Sequence, residues 1–233
     1  MKCPRCGASS VKTLPNDKTK LDLLILDLFA GLGCSAREFQ KVLDERGLRY
    51  AYVAIEIDPQ IAKAHRKIAT KSDVIVADAT DFLYPSFLSK FDFVWASPPC
   101  QKYSTLCFIK RKDEYGKDDT LLRVIEALKR SETLYVVENV KSPRTLKLKP
   151  DLIIGRHVFW TNVEFDALFP DVNHRTFTKI KDRASELAKA YGIPLERLSG
   201  VKDKRRALRN CLEPWIARVI FERVVSVISE RGG

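Results

Sequence analysis

The chain is poor in the residues that mark several common protein classes. Its 233 residues include one methionine, three histidines and six cysteines. Only Cys3 and Cys6 stand at a motif spacing, so the disulfide framework of a small secreted domain is not expected. "MKCPRCG" supplies one Cys-Pro-x-Cys-Gly knuckle, but a closed zinc site needs four ligands and no second Cys-x-x-Cys follows. No resident metal is expected; a shared one would need a second subunit. No apolar run reaches the roughly 18 uncharged residues of a membrane span, and Met1 to Lys20 has no apolar signal core. The expectation is a cytoplasmic, intracellular protein with no membrane partner. Internal repeats and low-complexity tracts are also missing.

What is present suits one good-sized folded domain: 45% apolar and 30% charged residues. The formal net charge of +11 points to a polyanionic partner, most simply nucleic acid, against the plainer reading of solvating surface charge. Residues 1–20 read as the knuckle and a polar linker with a turn at Pro15-Asn16-Asp17, and 21–233 as the folded domain.

From Leu21 the pattern alternates. "LDLLILDLF", "YAYVAIEID", "DVIVAD", "FDFVWAS" and "TLYVVENV" are short, nearly unbroken apolar strands. Between them lie the amphipathic segments "SAREFQKVLDERG", "PQIAKAHRKIA" and "DDTLLRVIEALKR". This pattern predicts an α/β fold with a doubly wound, mostly parallel sheet of Rossmann-like type. "RHVFWTNVEF" is a further strand, and "EPWIARVIFERVVSVISE" a long closing helix.

In such sheets ligands bind beyond the carboxyl ends of the strands. Five strand ends carry a polar or special residue. Gly31 and Gly33, in "FAGLG" after Phe29 and beside Leu32, allow a tight turn and close approach of a ligand, although glycine in a turn is ordinary. Glu56, flanked by Ile55 and Ile57, can accept two hydrogen bonds from ribose hydroxyls; the bland alternative is a surface carboxylate. Asp78 can accept one from an exocyclic amine such as that of adenine. Together with Ile57 they describe a nucleoside pocket. "GLGCSA" also satisfies the G-x-G-x-x-A dinucleotide fingerprint, so an NAD-dependent oxidoreductase is a rival.

That rival gives no use to "WASPPCQKYS". Pro98-Pro99 ends the strand and holds Cys100 on a stiff loop. A thiol there can add to an electron-poor ring carbon, and cytosine is such a ring once its N3 is protonated or strongly hydrogen-bonded. Glu138 on the next strand can do this if it holds a proton. The bland alternatives are an inert thiol and a loop-bracing Glu-Asn pair.

"DLFAGLG", "ASPPCQ" and "VVENV" resemble three ordered motifs of the DNA cytosine-5 methyltransferases, over about Leu23 to Val140. "RNCLEPWIARVI" is similar to the family's last motif. The resemblance implies S-adenosylmethionine as cofactor and DNA as partner, with methyl transfer to carbon 5 of a flipped cytosine. Residue by residue, it implies that Phe29, Gly31, Leu32 and Gly33 form the donor loop, Phe29 near the adenine. Glu56 would hold the ribose, Asp78 the adenine amine, and Asn210 would stand beside the methionine part. Cys100 would be the nucleophile on carbon 6, with Pro99 and Gln101 shaping its loop, Glu138 on N3, and Asn139 holding the loop.

Three departures from the family pattern stand out. Cys34 replaces a usual glycine, which is expected to be tolerated with its side chain turned away from the donor. The family's two-arginine motif is reduced to Arg156-His157, with Arg156 the expected contact to the cytosine or the cysteine loop. Only about Glu164 to Lys202 is available as a recognition insert, as in a compact phage-type or archaeal form. This leaves room for a helper subunit, or for a homodimer through the knuckle. A restriction-modification role fits the family as well as others do. The remaining rivals are an RNA cytosine-5 methyltransferase, for which Cys107 is the nearest spare thiol, and an inactive nucleic-acid-binding relative.

Overall fold

The computed structural model describes residues 21–101, 103, 119–165 and 183–232. The knuckle with Cys3 and Cys6, Cys107, and residues 166–182 of the expected insert lie outside the described residues.

The elements run β1 (Leu23–Leu28), α1 (Cys34–Glu45), β2 (Tyr50–Glu56), α2 (Pro59–Ile68), β3 (Ser72–Val76), α3 (Pro85–Leu88) and β4 (Phe93–Ala96). Then follow α4 (Thr120–Lys129), β5 (Leu134–Val140), α5 (Pro143–Leu146), β6 (Leu152–Ile154), β7 (His157–Thr161), α6 (Ala184–Ala190), α7 (Lys204–Arg209) and α8 (Pro214–Gly232). Every residue of β1 is buried, as a strand covered on both faces requires. At α2 the Asp58 side chain accepts from the Gln60 and Ile61 N–H groups and Pro59 opens the first turn, so this helix start is encoded locally.

One seven-stranded sheet has the order β3-β2-β1-β4-β5-β7-β6. Strands β1 to β5 are parallel to one another, and β7 is antiparallel to both β5 and β6. The chain winds outward from β1 to β3, then returns to place β4 on the other side of β1. That reversal opens a crevice at the carboxyl ends of β1 and β4, where open α/β sheets take ligands. The strand expected over 156–165 is β7, which ends at Thr161. Beyond it the Asn162 side chain takes over the pairing, accepting from the Tyr135 N–H and donating to the Thr133 carbonyl. The sequence pattern did not register β6, three residues long, or the single-turn helices α3 and α5.

Period-two alternation divides the core between the two faces. Ile25, Tyr52, Phe93, Trp95, Val136 and Phe159 meet α1 and α8. There Phe39 stacks on Phe221 with ring centroids 4.3 Å apart and meets Phe93 edge-on at 5.4 Å. Leu26, Val94, Tyr135, Val137 and Trp160 meet α4 on the other face. A third cluster joins Leu32, Cys34, Ala64 and Ile68 to Leu187, Tyr191, Leu198 and Leu208. Residues 183–202 are therefore packed against the start of α1 and against α2; this half of the expected recognition insert serves as core. No helix among the described residues is long and apolar enough to cross a membrane.

Candidate active site

A cavity of about 410 Å³ opens at the carboxyl ends of β1 to β4. Phe29, Gly31, Leu32, Glu56, Ile57, Asp78, Pro99, Cys100 and Asn210 all line it. These nine come from five separate stretches of chain, and the fold brings them to one wall system.

The turn after β1 is made by Phe29 at φ 59° and Gly31 at φ 54°, both in the left-handed region. Phenylalanine rarely adopts that conformation, and its neighbours must hold it. Glu56 supplies part of the hold: its Oε2 accepts the Gly31 N–H at 2.8 Å and its Oε1 accepts the Asp58 N–H at 2.9 Å. Burial raises its proton affinity, and the bonds from Asp58 and Gly31 oppose that shift. Glu56 thus braces the loop it was expected to share with a ligand. Gly33 does not line the cavity. It caps α1 at φ 79°, and a Cβ there would stand 2.9 Å from the His65 ring. Its glycine is fixed by packing against a buried histidine whose Nδ1 lies 3.1 Å from the Gly31 carbonyl oxygen. Asp78 caps the short turn after β3, its Oδ1 accepting the Thr80 N–H and hydroxyl at 2.9 and 2.8 Å.

Cys100 is a half-buried free thiol on the loop after β4. Burial raises its pKa, and the Glu138 charge adds to the shift while Arg156 and Arg206 pull against it. The resting group is a thiol. Asn139, 1% exposed, donates from Nδ2 to the Pro98 carbonyl at 3.0 Å and so ties this loop to β5.

Glu138 and Arg156 do not line the cavity. Glu138 lies on β5 two residues before Val140, which pairs with His157 on β7. The two side chains share one face, and Glu138 Oε1 stands 2.6 Å from His157 Nδ1. His157 Nε2 stands 2.8 Å from Glu213 Oε2. Arg156, expected at the cytosine or the cysteine loop, pairs with Glu213: its Nε donates to Oε1 at 3.2 Å, and its Nη2 to the Arg209 carbonyl at 3.4 Å. Glu213 is 2% exposed; burial opposes its charge, but His157 and Arg156 outweigh burial and keep its carboxyl below the ordinary range. Sequence reasoning did not find Glu213. The available signal was a carboxylate directly before the proline that opens the closing helix.

Two expectations about cysteine are corrected. Cys34 does not turn away from the cavity but lines it, and so does Cys211. The two form a disulfide with a Cα–Cα distance of 6.0 Å, linking residues 177 apart in sequence. Spacing carried no sign of this, because the pair arises only when the Asn210–Leu212 segment folds back over the start of α1. The link joins the turn after β1 to the segment that carries Asn210.

A mostly parallel sheet with a cavity at its switch point defines the class: an α/β protein of the doubly wound type. Residues 23–151, more than half of the chain, match the model of the C-5 cytosine-specific DNA methylase family. The chain belongs to that family, which sets the nicotinamide reading aside. No curated protein matches it in sequence. Among solved structures, it is similar to a DNMT2 mutant from Spodoptera frugiperda at 22% identity and TM-score 0.40, over 53% of this chain and 37% of that one. It is also similar to a putative DNA modification methyltransferase of an E. coli prophage at 18% identity and TM-score 0.38, over 55% and 34%. S. pombe Dnmt2 matches at 13% identity and TM-score 0.49, over 90% and 99%. The chain thus spans little more than a third of the first two structures.

Proposed function

We propose that this protein transfers a methyl group from S-adenosylmethionine to carbon 5 of cytosine in DNA, through a covalent bond between Cys100 and the base. The observation that carries the reading is that one cavity joins the Glu56–Asp78 end to the Cys100 thiol. The net charge of +11 suits a polyanionic substrate.

The cavity fits the donor in size and in chemistry: carboxylates at one end, apolar Phe29, Leu32 and Ile57 along the wall, and backbone close by at Gly31. Glu56 and Asp78 would hold the nucleoside, and Asn210 the methionine part. The sulfonium supplies an electrophilic methyl group. Cys100, once ionised, adds to carbon 6, and Glu138 holds a proton toward N3 so that charge entering the ring is neutralised. Pro98, Pro99 and the Asn139 bond keep the sulfur in place, so little orientational freedom is lost when it attacks. A target base in a duplex must leave the stack to reach these groups. Residues 1–20 contribute charge to the substrate surface, with a helper subunit or a second copy as candidate partners at the knuckle.

The test is methyl transfer from radiolabelled donor to duplex DNA and, separately, to structured RNA, followed by nucleoside analysis. The reading expects label in 5-methyldeoxycytidine. Label confined to RNA would move the activity to the other polymer, and label on an exocyclic amine would overturn the mechanism.

A further inference from the structure

Three ionisable groups form a hydrogen-bonded chain. Glu138 on β5, His157 on β7 and Glu213 before α8 are joined at 2.6 and 2.8 Å, and Arg156 closes the far end at 3.2 Å. His157 is 6% exposed and Glu213 2%. Both imidazole nitrogens face carboxylate oxygens. An imidazolium donates from both nitrogens, to Glu213 Oε2 and to Glu138 Oε1, and the second bond stands whether or not Glu138 Oε2 carries a proton. With Arg156 the four groups sum to zero charge once Glu138 has given up its proton, the condition under which a buried cluster is tolerable.

We propose that His157, held as an imidazolium by Glu213, is the positioning residue that aims Glu138 and supports its charge during cytosine attack. This rests on the proposed role of Glu138. With Oε1 taken by His157, Oε2 is the oxygen left for the base. When sulfur bonds to carbon 6, the displaced ring electron pair reaches N3. N3 takes the proton from Oε2, and Glu138 is left as a carboxylate facing a cation. As carbon 5 takes the methyl group, the ring pair forms the new C–C bond and N3 returns its proton to Oε2. The carbon-5 proton then leaves to a base in solvent, its pair rebuilds the C5–C6 double bond, and the C–S pair departs with sulfur. Glu213 neither touches the base nor moves a proton; it keeps His157 charged.

The charged form fits the surroundings. Burial works against it, yet Glu138 and Glu213 outweigh burial and raise His157 to about 9. The other ionisable groups around it are Arg156, which pairs with Glu213; Tyr191, whose phenol is pushed up by burial and by the Glu213 charge; and the Cys100 thiol. Arg206 on α7 also acts on Cys100.

Nitrogen-15 NMR on the full chain, which has three histidines, tests the charge without any assay. His157 is expected to be doubly protonated at pH 7.5, and Glu213→Gln to lower its midpoint by at least about tenfold in proton affinity. A neutral His157 at pH 7.5 overturns the inference. Kinetics test the role. His157→Gln keeps a donor for Glu138 but no charge; it is expected to lower kcat at least about tenfold with donor affinity unchanged, and to remove the alkaline limb near pH 9. His157→Arg restores charge and is expected to recover part of the loss without that limb. An unchanged kcat and pH profile in His157→Gln overturns the inference. A wild-type chain that binds donor but methylates neither DNA nor RNA would instead overturn the functional reading beneath it.

Discussion

The side-chain amide of Asn139 donates to the carbonyl of Pro98 at 3.0 Å, while its own oxygen accepts the Val140 N–H at 2.9 Å. The proline loop is thereby fastened to β5, and the nucleophile's loop and the carboxylate meant to act with it belong to one hydrogen-bonded unit. Asn139→Ala leaves a buried carbonyl unpaired, which is expected to cost about 1–3 kcal/mol of stability. Methyl transfer should fall by about tenfold or more through misplacement of the sulfur, with donor affinity nearly unchanged. Denaturant melts, calorimetry with the donor and single-turnover rates measure the three effects separately. A loss of donor affinity as large as the loss of rate would mean that the bond serves the cavity rather than the loop.

The Cys34–Cys211 link closes a loop of 177 residues. Cross-links over loops this long are expected to stabilise by about 3–5 kcal/mol. Cys34→Ala should lower stability by that order and loosen donor binding, because the Asn210 wall is no longer fixed to the turn after β1. Reductant should reproduce both effects in the wild type and do nothing further to the variant. Equal stability with and without reductant in the wild type would show that the segment is held by the Leu187–Leu208 packing alone.

Asp27 gives the protein a pH dependence. It is 2% exposed, its Oδ2 accepts the Tyr52 hydroxyl at 3.0 Å, and its Oδ1 has no partner. Burial raises its pKa to about 8, with the Tyr52 bond opposing and the Glu56 charge adding to the shift. The unfolded chain gives up this proton near pH 4. Between those values the folded state holds the extra proton, so stability falls as pH rises, by up to about 1.4 kcal/mol per pH unit. Asp27→Asn should remove this contribution to the slope. His157, also raised, contributes with the same sign only above about 6.5. Glu56, raised by burial, adds the same sign in acid, and His65, lowered by burial to about 4, adds the opposite sign up to about 6.5. The difference between wild type and Asp27→Asn in denaturation at pH 5 and pH 6 therefore isolates Asp27. A wild-type slope there equal to the variant's would contradict the assignment.

Much of this molecule is written locally. Unbroken apolar strands, the Asp58-Pro59 helix start and the prolines before Cys100 announce themselves within a few residues. The sheet, Gly31, Glu56, Asp78 and Cys100 were therefore legible, while Phe29, Leu32, Pro99 and Asn210 were placed by the resemblance to a family. What escaped depends on contacts across long separations. Glu213 meets His157 only because α8 packs back over the sheet, and Cys34 meets Cys211 only because the segment before α8 covers the turn after β1. Arg156 was assigned to the cytosine or the cysteine loop from a shortened motif, and in the fold it pairs with the buried Glu213 while its charge still acts on Cys100. Gly33 looked like a ligand glycine because nothing in the sequence shows that His65 sits against it. Nearest-neighbour chemistry is readable in one dimension; ion pairs and disulfides that close the tertiary fold are not.

The central claim is that Cys100 bonds to carbon 6 of a cytosine. It is tested most directly by incubating the full chain with S-adenosylmethionine and a duplex containing 5-fluorocytosine, in which the carbon-5 proton needed for elimination is absent. The account predicts a denaturation-resistant complex whose mass is the sum of protein, DNA and one methyl group, with the cross-link at Cys100 and none formed by Cys100→Ser. Donor bound and cytosine methylated without any trapped complex, or trapping undiminished in Cys100→Ser, would contradict it.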